Sequence, residues 1–121
     1  MREDPAGALP HLRKSLDARK RSGAIDASLF AANTLAATLT RLGRPEEAEP
    51  IVLYGLLVAD RIESPVGKAR LSLTLGRNYL VRGDRVAAVV AFQNALKSAE
   101  SVNYESVAIP ARTSLEELTQ D

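Results

Sequence analysis

The chain has 121 residues, 45% hydrophobic and only 4% aromatic, with sixteen Lys and Arg against fifteen Asp and Glu. That length supports one core rather than several, and an apolar fraction made mostly of Ala, Leu and Val suits small-residue helix packing better than sheet. A formal charge of +1 supplies no global pull toward nucleic acid or anionic membrane, the lack of Cys excludes disulfides and thiolate chemistry, and the single His11 excludes an imidazole metal cluster.

Six helices are predicted in chain order, over 4–22, 27–42, 45–60, 65–82, 85–101 and 104–119. The opening MREDPAGALP places acid and Pro where a signal peptide requires an apolar run, and no later stretch approaches the ~18 apolar residues of a membrane span. A cytoplasmic chain is expected. Asp4-Pro5, Arg44-Pro45, Ser64-Pro65 and Asp84 supply helix-start chemistry, with Pro suited to the first helical position. Gly43 and Gly83 follow helices and allow a left-handed stop. Pro10, Pro50 and Pro110 fall inside helices, where each removes a backbone donor, so bends are expected there.

Sliding the sequence against itself by forty places aligns these helices with one another. Ala8, Ala48 and Ala88 coincide, as do Leu12, Val52 and Phe92, Ser15, Gly55 and Ala95, and Leu16, Leu56 and Leu96. This is an i, i+4, i+7, i+8 stripe recurring three times. A second stripe pairs Leu35 and Leu39 with Leu75 and Tyr79, and Leu115 continues it. The Ala positions would set close approach between helices, and Leu12, Val52 and Phe92 would fill the space one turn later. One domain is therefore expected, with a half unit at 1–22, full units at 29–62 and 69–102, and a half unit at 104–121.

Leu75-Gly76, Tyr79, Gly83-Asp84, Ala88, Phe92 and Ala95-Leu96 fall at the spacing of the tetratricopeptide repeat, so residues 69–102 resemble that family closely. Residues 29–62 carry the pattern more loosely, through Leu35-Ala36, Leu39, Gly43, Ala48, Val52 and Gly55-Leu56. The forty-residue period exceeds the family's usual thirty-four, and resembles the repeats of kinesin light chain and of large bacterial regulators. The resemblance implies an all-α, right-handed superhelical stack of antiparallel helix hairpins, an α-solenoid that binds protein or peptide without cofactor or catalysis.

In such a family the first helix of each hairpin lines a concave groove. On this register the groove would present Phe30, Asn33, Thr34, Ala37 and Arg41 from one helix, then Arg70, Leu73, Thr74 and Arg77 from another, with Thr113 and Glu117 from the last. Arg70 and Arg77 lie seven apart on one helical face and could fork onto a carboxylate or phosphate, or remain solvated charges. Phe30 is expected in the core, with a ligand platform as the alternative. The Lys and Asn pair with which some relatives clamp a C-terminal carboxylate is replaced by Asn33, Ala37, Leu73 and Arg77.

The chain's ends differ in charge. Arg13, Lys14, Arg19, Lys20 and Arg21 crowd the first helix, whereas Glu100, Glu105, Glu116, Glu117 and Asp121 dominate the last segment. Both runs are compatible with solvated helix faces. They also allow a homo-oligomer stacked end to end, Arg13, Arg19 and Lys20 meeting Glu116 and Glu117, if each terminal helix leaves an apolar flank bare. Val86 with Val90, and Leu53 with Leu57, exceed what one buried face needs and mark a possible outer contact patch. No phosphate loop, zinc motif or nucleophile about His11 suggests an enzyme, and Glu46-Glu47 and Glu116-Glu117 are adjacent pairs that diverge around a helix. The alternative is the repeat segment of a bacterial transcription or signalling regulator touching nucleic acid through the basic first helix, although no aromatics interleave that cluster for base stacking.

Overall fold

The computed structural model describes residues 5–120. Asp4 and Asp121 lie outside them. Among the described residues the chain is all-α: α1 (Pro5–Ser22), α2 (Ile25–Arg41), α3 (Pro45–Arg61), α4 (Pro65–Val81), α5 (Arg85–Ser101) and α6 (Glu105–Leu118). The expected boundaries hold to within two residues, and α1, α3 and α6 run through Pro10, Pro50 and Pro110.

Successive helices begin twenty residues apart, because one turn is used five times. Each of the first five helices gives way to a residue of positive φ: Gly23 (75°), Gly43 (77°), Glu63 (54°), Gly83 (78°) and Asn103 (55°). The amide after it bonds back five residues, as in Ser64 N–H to the Ala59 carbonyl and Asp84 N–H to the Tyr79 carbonyl, both at 2.9 Å. That same residue is the N-cap of the next helix. Ser64 Oγ accepts from the Gly67 amide and Asp84 Oδ1 from the Ala87 amide, each at 3.0 Å, so one residue closes a helix and opens another.

Glu63 occupies a conformation that costs an L-residue roughly 1–2 kcal/mol and Gly nothing comparable. Glu63→Gly is therefore expected to stabilise the chain by about 0.5–1 kcal/mol once the greater freedom of unfolded Gly is deducted. Chemical denaturation of the two proteins checks this, and a lower midpoint for the variant would contradict it.

Each helix packs on its neighbours in sequence, and α2 also packs on α4, and α4 on α6. The even helices thus form one layer and α1, α3 and α5 cover its back. The core runs through both layers. Ala48, Val52, Ala88, Phe92 and Ala95 of the forty-residue stripe are sealed from solvent, as are Ala59 and Ala99, while its Leu56 and Leu96 are half-buried. Gly76 lies directly against the Phe92 ring, where a Cβ would come within 2.6–2.8 Å of three ring atoms, and Gly55 makes the same kind of room for Leu71.

Polar groups tie the layers where apolar ones cannot. Asn78, fully buried, donates from Nδ2 to the Pro45 carbonyl (2.8 Å) and to Thr40 Oγ1 (3.2 Å), linking α4 to the α2–α3 turn. Glu49 accepts from the Tyr79 hydroxyl at 3.1 Å and pairs with Arg82 at 2.7 Å. Burial first, and Glu49 next, hold the Tyr79 hydroxyl above its ordinary pKa.

The terminal helices differ from the inner ones at equivalent positions. Ala8, Leu12, Ser15 and Arg19 on α1 are only half-buried, although their counterparts forty and eighty residues on are buried. Polar residues have entered these outer faces: His11 stands where Ile51 and Ala91 do, and Arg19 where Ala59 and Ala99 do. On α6, Arg112 replaces Ala32 and Ser72, and Glu116 replaces Ala36 and Gly76. The outer faces of α1 and α6 are therefore mixed: His11, Arg19, Arg112 and Glu116 stand beside half-buried Leu12 and beside Ile109, which is 53% exposed where Leu29 and Ala69 are buried.

Candidate groove between helices α2 and α4

The even-helix layer leaves a seam along α2 and α4, whose small residues let the helices run side by side. Two depressions lie along it. One, of about 480 Å³, is lined by Asn33, Thr34, Ala37, Thr38, Thr40 and Arg41 of α2, and by Thr74 and Arg77 of α4. The other, of about 310 Å³, lies toward the N-terminal ends of both helices, with Asp26, Leu29 and Phe30 facing Val66, Arg70 and Leu71.

In the first depression the hydroxyls are mostly committed. Thr34 and Thr38 donate to carbonyls one turn back, at 3.1 and 2.8 Å. Thr74 Oγ1 donates to Asn33 Oδ1, which fixes the Asn33 amide and leaves its two N–H donors for a ligand. Arg41 and Arg77 are exposed, and neither forms an ion pair among the described residues. No acidic side chain lines this depression. It can therefore receive an anion, and nothing in its own lining repels one.

The structure separates residues that the sequence placed together. Asn33, Thr34, Arg41 and Arg77 share the first depression, but Arg70 belongs to the second. Arg70 Nε donates to the Tyr104 hydroxyl at 2.6 Å, and its guanidinium lies 5.2 Å from the Phe30 ring centre and 5.6 Å from that of Tyr104. Arg70 is thus a stacked bridge across α2, α4 and α6, rather than half of an Arg70–Arg77 fork. Leu73 is 7% exposed and packs in the core with Phe92 and Val107, which withdraws it from the groove. Phe30 is corrected in the opposite sense: it is 56% exposed, because its helical position faces outward beside Arg70. Tyr104 was missed. Only its place at the N-cap of α6, opposite Arg70, reveals its part, and no spacing in the sequence reports that.

The charged ends are also partly spent within the chain. Arg13 pairs with Glu47 at 3.5 Å, Lys20 Nζ sits 4.0 Å from the centre of the Tyr54 ring, and Arg19 is half-buried. Glu116 and Glu117 are exposed on α6. A second copy stacked in the repeat's own register would press Leu12 against Glu116, as Phe92 presses against Gly76, so a carboxylate would occupy the space that close packing requires. That geometry opposes end-to-end assembly in register. Leu53, Leu57, Val86 and Val90 are all exposed on the odd-helix layer.

No helix among the described residues is long and apolar enough to cross a membrane. Comparison with protein-family models finds no match, and comparison with curated proteins finds none either.

Proposed function

We propose that this chain is a non-catalytic interaction module of tetratricopeptide type that holds an acidic segment of another polypeptide along the α2–α4 seam. The observation that carries the reading is the pair of guanidinium groups, Arg41 and Arg77, lining one depression with the oriented Asn33 amide and with no carboxylate beside them. Arg presents planar, forked donors to carboxylates, and the Asn33 amide is already oriented by Thr74 before a ligand arrives. Backbone carbonyls of an extended ligand would be met by the Asn33 N–H groups.

The test is a titration of the isotopically labelled protein with a blocked, Glu-rich decapeptide, followed by amide NMR shifts. The resonances of Asn33, Thr34, Arg41, Thr74 and Arg77 are expected to move together. Reversing both charges, with Arg41→Glu and Arg77→Glu, is expected to weaken binding at least about tenfold, equivalent to ~1.4 kcal/mol. Shifts confined to α1, or equal affinity for the double variant, would remove the proposal.

A further inference from the structure

We infer that the seam reads two features of its ligand at once: a carboxylate, and a large apolar or aromatic side chain about three to five residues away from it. This inference rests on the acidic-segment reading above and specifies the partner that such a groove would select.

The second depression differs from the first in chemistry. Leu29, Phe30, Val66 and Leu71 give it apolar walls, with Phe30 56% and Val66 43% exposed although both are large apolar groups. Arg70 lies beside the Phe30 ring, and its Nε already donates to Tyr104, so it holds an aromatic surface in place. Asp26 and Arg70 both line this depression and offset each other's charge, while Arg41 and Arg77 stand without a carboxylate in the other and attract one there. The charges therefore assign one end of the seam to an acidic residue and the other to an apolar one. They give the ligand a direction.

The spacing follows from helix geometry. Arg70 and Arg77 are seven residues apart and Phe30 and Arg41 eleven, or about 10 and 16 Å along the helices at ~1.5 Å per residue. An extended chain advances ~3.3 Å per residue, so three to five residues span that distance. Two modest sites joined at the matching separation gain from effective concentration, whereas a mismatched linker forfeits that gain.

A series of blocked peptides with one Phe and one Glu, separated by about one to eight Gly or Ser residues, tests this by NMR titration of the whole chain. Affinity is expected to peak at two to four intervening positions, at least about tenfold above peptides that carry either anchor alone. Phe30→Ala is expected to erase the contribution of the peptide's Phe and leave that of Glu intact. Val66→Ser gives an independent check, in case loss of the Phe30 ring also releases Arg70. If Glu-only peptides bind with Arg77 dependence and Phe adds nothing at any separation, the two-feature inference is overturned while the acidic-segment reading stands. If no peptide shifts α2 or α4, both fall.

Discussion

Phe92→Ala is expected to lower stability by about 3–5 kcal/mol, a large share of the ~5–15 kcal/mol that holds a domain of this size together. Phe92 is one of only two Phe residues in the chain and is wholly sealed. It fills the second core cluster, where most neighbours are Ala and cannot extend to occupy the void. Its partner Gly76 offers a sharper test. Ala is favoured over Gly inside a helix by ~1 kcal/mol, yet a Cβ at Gly76 would meet the ring at 2.6 Å. Gly76→Ala is therefore expected to destabilise the native chain by ~1–3 kcal/mol, and to become neutral or favourable when Phe92 is already Leu. Urea denaturation of the four proteins measures that coupling. Additive effects would show that the two residues do not share one space.

Asn78→Ala is expected to cost about 2–4 kcal/mol, although it removes a polar side chain from the interior. Two opposing effects must be weighed. Asn78 Oδ1 is buried with no partner among the described residues, a penalty the substitution relieves. Against that stand two hydrogen bonds from Nδ2, to the Pro45 carbonyl and Thr40 Oγ1, together with the packing of a fully buried side chain. Net hydrogen bonds contribute ~0.5–1.5 kcal/mol each, and the vacated volume adds to their loss. The bonds and packing outweigh the relief. Because they fasten α4 to the turn between α2 and α3, the variant should also exchange the amides around Gly43 and Arg44 faster at fixed denaturant. Unchanged exchange there, with unchanged stability, would assign Asn78 no such role.

The forty-residue stripe was legible because helix packing repeats. Ala48 with Ala88, and Val52 with Phe92, had to recur wherever one helix approached the next, and all four are sealed. The turns were only half legible. Gly43 and Gly83 marked themselves, whereas Glu63 and Asn103 adopt the same left-handed turn without a glycine to signal it. The twenty-residue spacing of helix starts thus lay concealed behind the more obvious forty-residue unit.

The groove residues were assigned by face, and faces alone mislead where a side chain can bend. Leu73 lies on the expected stretch of α4 but turns into the core beside Phe92, while Phe30, the apolar residue expected inside, is out on the surface with Arg70. The mixed character of the terminal flanks was illegible for a related reason. Which of the residues at 11, 19, 112 and 116 face outward depends on how each helix is rolled against its neighbour, and only then do His11, Arg19, Arg112 and Glu116 become visible as polar replacements for apolar inner positions.

Hydrophobic periodicity and turn chemistry, then, determined six helices, their order and the residues that seal them together, because those features act between residues at most a few turns apart. Tertiary structure alone decided which cations remain free. Arg13, Arg70 and Arg82 are taken up by Glu47, Tyr104 and Glu49, while Arg41 and Arg77 face a groove without an acidic partner. Pairings of that kind join residues some thirty positions apart in sequence, and a long flexible side chain finds its partner only after the backbone has brought the two together.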